Sequence, residues 1–245
     1  MFGRSRVRGE PTSSNGASSL HLRWIVDGPV EAVRTVLEVV DAPSVDRLYF
    51  WALQASFSDR GRRLGGAHLG LQHHPAHPGR RAVNFGGYAA AGGELRGTTS
   101  PLPSARDNPN TRDLAWEAGR RYRLAIEPTD EAGAWSGSVT DIEAERTTVV
   151  RRLLPGGVEL VDPMVWSEVF ARCEHPAASV RWSAPQVRLD GTWHDVDAAI
   201  VSYQTRADGG CDNTDARNDG VGIVQTTAVD RVTRPGQRLR WPRPG

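Results

Sequence analysis

"GGAHLGLQHHPAHPGRRAVNFGGY", residues 65–88, holds two short apolar alternations on either side of a proline- and glycine-rich turn. Side chains on a strand point to opposite faces with a period of two. That period predicts adjacent antiparallel strands over residues 67–73 and 81–88. Leu69, Leu71, Val83 and Phe85 then face a core, and His68, Gln72 and Asn84 share the opposite face. The turn "HPAHPGR", residues 74–80, carries two prolines and a glycine. It is expected to leave His73, His74 and His77 at a solvent-exposed hairpin tip. Four histidines this close suggest a metal site, but the alternation spreads them over different faces. A structural zinc site also wants closed tetrahedral ligation, commonly with cysteine, and no partners are suitably spaced. No metal site is expected here. Gly65-Gly66 and Gly86-Gly87 bracket the hairpin. Glycine within a strand marks a bulge or a place where a ligand or backbone comes close.

The same period runs outward from the hairpin. "SLHLRWIVD" places Leu20, Leu22, Trp24 and Val26 on one face. "DRLYFWALQASF" does the same with Tyr49, Trp51, Leu53, Ala55 and Phe57. Residues 121–128, 134–143, 147–154, 164–171, 178–183 and 199–205 continue the pattern. "PVEAVRTVLEVVDA", residues 29–42, fits a helix by the spacing of Val33, Val36, Leu37 and Val40, and a strand by its β-branched content. About a dozen strands without alternating helices predict an all-β fold: a single antiparallel β-sandwich, jelly-roll or concanavalin-like. Residues 1–18 are expected to be a disordered tail, 19–234 the sandwich domain, and 235–245 a C-terminal tail with a last edge strand. Trp24, Trp51, Trp135 and Trp182 fall on apolar faces. Trp116 and Trp193 are expected near exposed loops.

Composition narrows function without choosing one. The chain has 245 residues, 30 basic against 29 acidic, and a formal net charge of +1. That balance gives no global steering toward nucleic acid or an anionic membrane. Every basic side chain other than histidine is arginine, which removes lysine Schiff-base chemistry. No apolar run approaches the roughly 20 residues of a spanning helix, and no apolar segment follows the basic N-terminus as in a signal peptide. The expected location is the cytoplasm, or outside the cell if a longer N-terminus was trimmed. Cys173 and Cys211 are accordingly expected to be unpaired thiols. There is no nucleophile elbow, Walker A sequence or dinucleotide fingerprint after a strand.

Polar residues opposite the core positions nominate a ligand wall: Gln54, His68, Gln72, Asn84, Arg123, Trp166, Glu168 and Gln204. Amides and a carboxylate suit ligand hydroxyls, and an aromatic face suits the C–H side of a sugar ring. The plain alternative is a solvated sheet face. Glu168, between Trp166 and Phe170, is the best carboxylate for chemistry, with His68 as its candidate partner. A glycosidase needs a second carboxylate about 5 to 10 Å away, for which Asp141 and Glu127 are the candidates. A structural Glu168 would pair with Arg172 or Arg181. The "DGGCDNTDARNDG" segment, residues 208–220, reads as a long turn. Its Asp208–Asp219 loop is the one calcium candidate, and otherwise no cofactor is expected.

The order of "GGAHLGLQ", "AVNFGGY", "WEAGRRYRLAIE" and "WSEVFA" resembles the bacterial proteins catalogued as domain of unknown function family 3472. Gly65, Gly66, Gly70 and Gln72 carry the likeness, with Trp116, Gly119 and Tyr122, and with Trp166, Glu168 and Phe170. It spans roughly residues 45–185 and departs in the "RWS" strand and the "GGCDNT" loop. The resemblance implies a jelly-roll sandwich and no established activity. The expected function is binding of a glycan or other polar small ligand on a concave sheet face, with neither nucleic acid nor membrane as partner and the oligomeric state left open. A polysaccharide hydrolase or lyase using Glu168 is the second reading, and a structural or protein-interaction module the third.

Overall fold

A computed structural model of the chain describes residues 8–242. Its strands in chain order are β1 (Ser18–Trp24), β2 (Ala32–Asp41), β3 (Tyr49–Asp59), β4 (Arg62–His73), β5 (Arg81–Ala89), β6 (Thr111–Asp113), β7 (Arg121–Pro128) and β8 (Trp135–Asp141). They continue with β9 (Arg146–Leu153), β10 (Glu159–Val169), β11 (Ser179–Leu189), β12 (Thr192–Asp195), β13 (Ala198–Tyr203), β14 (Thr214–Asn218), β15 (Ile223–Thr227) and β16 (Arg238–Arg240). All pairings are antiparallel and form two eight-stranded sheets. Sheet A runs β16-β13-β1-β10-β3-β4-β5-β6. Sheet B runs β14-β15-β11-β2-β7-β8-β9, with β12 also on β11. The chain crosses repeatedly between the sheets, and the result is the expected β-sandwich. No helix among the described residues is long and apolar enough to cross a membrane.

The core lies between the sheets because each strand sends alternate residues inward. The hairpin pairs antiparallel with the expected residues inward: Leu69 opposes Phe85 and Leu71 opposes Val83, all fully buried. Trp51 and Tyr49 from β3 join them, and sheet B contributes Leu37, Leu124, Trp135 and Trp182. Where a tryptophan is buried its N–H needs a partner. Trp135 donates to Gly157 O and Trp182 to Gln225 Oε1.

Several expectations need correction. Of the two readings left open for residues 29–42 the strand holds, as β2, with Leu37 level with Trp182 on one side and Tyr122 on the other. Trp116 is buried and donates Nε1–H to Gln72 O. The hairpin tip is exposed at Pro75 and Pro78–Arg80, but its histidines are not, His74 being half-buried. His73 and His77 are buried, His73 Nε2 bonding to Val45 O and His77 Nδ1 to Asp113 Oδ1 at 2.6 Å. The C-terminal stretch is part of the domain. β16 pairs with β13, and Leu239 and Trp241 enter the core. Of the expected N-terminal tail, residues 1–7 lie outside the described residues. The part that follows is anchored: Gly9 O accepts from Cys173 N, Thr12 N donates to Gly209 O, and Ala17 is fully buried. Residues 208–220 are not all turn, since 214–218 are β14. Finally, Cys173 and Cys211 form a disulfide. The loops after β10 and β13 bring together thiols that sequence spacing alone does not connect.

Candidate functional site

The outer face of sheet A collects most of the nominated polar residues. On β3 that face carries Phe50, Ala52 and Gln54; on β10, Met164, Trp166 and Glu168; on β4, Gly66, His68, Gly70 and Gln72; on β5, Asn84, Gly86 and Tyr88. The registers fix their relations. Gln54 is level with Met164 and His68, Ala52 with Trp166 and Gly70, and Phe50 with Glu168 and Gln72. His68 is also level with Gly86, Gly70 with Asn84, and Gly66 with Tyr88.

Aromatic rings run across the face. Trp166 packs edge-on to Phe50 at 4.8 Å and to His68 at 5.8 Å, and tilts against His21 at 6.5 Å. Phe50 meets His68 at 5.5 Å, and His68 approaches Tyr88 at 6.3 Å. Phe50, Ala52, Met164 and Trp166 form a buried apolar cluster separate from the main core. Only two sheets exist among the described strands, so no third layer of sheet covers them. They are covered by one another and by the His68, His21 and Gln54 side chains packed around them. Trp166, 4% exposed, donates Nε1–H to Gln54 Oε1 at 2.8 Å. That leaves the Gln54 Nε2 group as the free donor. Tyr88 stands at the edge of the row, 62% exposed.

His68 lies among glycine positions on this face. Gly66 and Gly70 flank it on its own strand, and Gly86 lies across from it. Part of its ring meets solvent, yet desolvation by surrounding protein lowers its pKa to about 4. It is therefore a neutral imidazole at physiological pH, with one N–H donor and one acceptor nitrogen. His21 is likewise lowered to about 4, by burial and then by the charge of Arg23. Next to Gly70, two buried amides are incompletely matched. Asn84 Nδ2 donates to Thr111 Oγ1, but Asn84 Oδ1 and Gln72 Oε1 have no partner. Turning the Asn84 amide would leave its nitrogen unmatched instead.

The other nominated residues divide. Gln204 lies past the end of β13, its Oε1 accepting from Ser19 N at 3.0 Å, so it props the sheet edge. Arg123 belongs to β7 in sheet B, and its nomination to this wall is corrected. Alternation told which side of its own strand it occupies, not which sheet owns the strand. Glu168 is half-buried. Desolvation raises its pKa, opposed by hydrogen bonds from Asn15 and Ser19. Arg172 pairs with Glu174, and Arg181 with Glu38 and Asp219, so neither is its counter-ion. Asp141 and Glu127 sit on sheet B, Asp141 paired with Arg120 and Glu127 with Arg188. Glu168 and His68 are two strands and four residues apart, roughly 16 Å by strand spacing and rise. They cannot share a proton directly.

No cluster of three or more His, Cys, Asp or Glu side chains gathers among the described residues. The carboxylates of residues 208–219 are engaged separately. Asp208 bonds Thr205, Asp215 accepts from Tyr203 and Thr233 N, and Asp219 pairs with Arg181. His21, Phe50, Met164 and Tyr88 were missed by the sequence reading. Their signal was the same alternation: Phe50 shares the parity of Gln54, Met164 that of Trp166, and Tyr88 that of Asn84.

No family model and no curated protein match the chain. Among solved structures it is similar to Scytalido-glutamic peptidase with a peptide-based transition state analog, at 9% identity and a TM-score of 0.47, over 86% of this chain and 98% of that one. It is also similar to SCP-B, a member of the Eqolisin family of peptidases in complex with the tripeptide Ala-Ile-His, at 8% identity and a TM-score of 0.46, over the same shares of the two chains.

Proposed function

We propose that the outer face of sheet A binds a neutral, hydroxyl-rich ligand of carbohydrate type, centred on His68. One observation carries this reading: on a single sheet face an exposed aromatic ring stands beside a neutral imidazole and two amide oxygens without a partner. Tyr88 offers a stacking face at the rim. His68, uncharged, offers a donor and an acceptor. Gln54 offers its Nε2 group, and Gln72 and Asn84 offer acceptors that want donors. Leaving a buried polar group unpaired costs about 1 to 3 kcal/mol, so a ligand hydroxyl supplying the bond gains much of that back. The family resemblance enters only through the residues it shares with this face: Gly66, Gly70, Gln72, Trp166 and Glu168. The Cys173–Cys211 disulfide supports an oxidising compartment, where such bonds persist.

A hydrolase or lyase centred on Glu168 has its raised pKa in its favour. The two carboxylates considered as its second acid, Asp141 and Glu127, lie on the other sheet and are paired with arginines. Binding is the better-supported function.

The test is a glycan array with the wild-type protein, followed by titration of the tightest hit against Tyr88→Ala. Tyr88 is mostly exposed, so the variant should keep the wild-type melting temperature. Affinity should fall about ten-fold, the scale of a lost aromatic contact of ~1.5 kcal/mol. Unchanged affinity in Tyr88→Ala, or an array without a hit, would refute the reading.

A further inference from the structure

Strand β9 carries a bulge where it meets β8: Gly137 lies level with Arg151, and Ser138 with Val149. Trp135 and Leu153, both core residues, are also level with one another, so Arg151 has the inward parity of Leu153. Its side chain is 4% exposed. Nη1 donates to Asn110 Oδ1 at 2.6 Å, and Nε has no acceptor. Gly97 leaves room for the guanidinium, because a Cβ there would lie 2.9 Å from Arg151 Cζ.

Arg112 approaches from the other sheet. It is level with Val83, a core position, and its Nε is also buried without an acceptor. Each guanidinium lies within electrostatic reach of the other, and Arg112 lowers the pKa of Arg151 after the larger effect of desolvation. Among the described residues no carboxylate is within ion-pairing distance of either. Glu94 exerts some opposing influence on Arg151, but its own carboxylate accepts from Asn110 Nδ2 at 3.2 Å. Two neighbouring cations, one buried and one partly exposed, with both Nε–H groups buried and unmatched, are costly unless an anion completes them. Guanidinium forks suit oxygen pairs on a carboxylate, phosphate or sulfate.

We propose that Arg112 and Arg151 form a binding site for a small oxyanion, set between the sheets at the β6–β9 edge. The partly exposed side chain of Arg112 gives the route in, and Asn110 fixes the deeper guanidinium. The site stands independently of the ligand face around His68.

Melting temperatures at constant ionic strength test it, with inorganic phosphate, acetate or chloride as the only variable anion. Phosphate stabilises many proteins without binding them. Arg112→Gln therefore serves as the reference, since its partly exposed side chain can be replaced without opening the core. The wild-type protein should melt about 3 °C or more higher in phosphate or acetate, at ten times the dissociation constant, than in chloride. Arg112→Gln should lose that increment and melt no lower than wild type in chloride, because it relieves the repulsion. An increment with phosphate assigns a tetrahedral oxyanion, and one with acetate alone assigns a carboxylate. Equal increments in wild type and Arg112→Gln, or none with either anion, would overturn the proposal. Calorimetric titration of the wild-type protein with phosphate and acetate tests the site without a variant: saturable one-to-one heat with either supports it, and none with both overturns it.

Discussion

Gly66 and Gly70 lie four residues apart on the same face of β4, and the structure separates them sharply. A Cβ on Gly70 would fall far inside contact with the Trp51 carbonyl oxygen and 2.7 Å from Ala52 Cα, both backbone atoms of β3. Comfortable carbon–carbon separation is about 3.5 to 4.0 Å, so the strands would part by about 1 Å. Interstrand hydrogen bonds near 2.9 Å would then stretch past their useful range. Losing about two of them, with an overpacking cost of about 1 to 3 kcal/mol, gives roughly 3 to 5 kcal/mol for Gly70→Ala. For a domain this size that is a fall in Tm of about 6 to 20 °C. On Gly66 the nearest atoms to an added Cβ are Ala55 O at 3.5 Å and Ser56 Oγ at 3.6 Å, ordinary contacts. Gly66→Ala should therefore leave stability unchanged or raise it by up to about 1 kcal/mol, through the less flexible unfolded chain. It would still set a methyl group beside His68 and should weaken the proposed ligand binding. Thermal melts by circular dichroism, with urea titrations for free energies, read both variants. A Gly70→Ala protein within about 1 kcal/mol of wild type would refute the reasoning, because β3 and β4 could not then approach as described.

Three further outcomes are expected. Cys173→Ser with Cys211→Ser opens a loop spanning a sequence separation of 38. It should cost about 4 kcal/mol by chain entropy, read as a lower urea midpoint than that of the oxidised protein; equal midpoints would contradict the cross-link. His68 and His21 have folded pKa values near 4, below the unfolded 6.5. Their stabilising effect is complete above pH 6.5 and is lost as pH falls toward 4, by at most about 3 kcal/mol each. His68→Gln should flatten that acid limb in urea titrations across the window, and an unaltered slope would show that His68 is not held neutral. Glu168 has its pKa raised by desolvation and no cation partner among the described residues. Glu168→Gln should thus hold or slightly raise Tm at pH 7, with the gain shrinking in acid as the native carboxyl protonates; a clear loss at pH 7 would reveal a counter-ion.

Alternation made much of this architecture legible. Leu69, Leu71, Val83 and Phe85 sit inward as their spacing required, and Gln54, His68, Gln72, Asn84, Trp166 and Glu168 share the opposite face of one sheet. What alternation cannot carry is ownership. Arg123 alternates as cleanly as Gln54, but its strand pairs with β2 and β8, and a two-sheet fold has two outer faces. Residues 29–42 read equally as helix or strand until their neighbours Trp182 and Tyr122 are in place. The disulfide joins loops brought together only by completed sheets. Trp116 looked exposed because its segment is irregular, although its indole reaches the carbonyl of Gln72.

The role of Trp166 shows why burial changes the functional reading. In the sequence it is the natural stacking platform for a sugar. In the fold it is 4% exposed, its N–H is spent on Gln54, and Phe50, His68 and His21 crowd its ring. A ligand cannot lie on it. What Trp166 does is hold the Gln54 amide so that its Nε2 group is the available end, and stand against His68 so that the imidazole stays desolvated and neutral. In the proposed binding mode stacking passes to Tyr88, the strongly exposed ring in the row, level with Gly66. On that proposal the tryptophan and the tyrosine divide between them two tasks that the sequence alone would assign to one residue. Substituting Trp166 should disturb fold and binding together, whereas substituting Tyr88 should disturb binding alone.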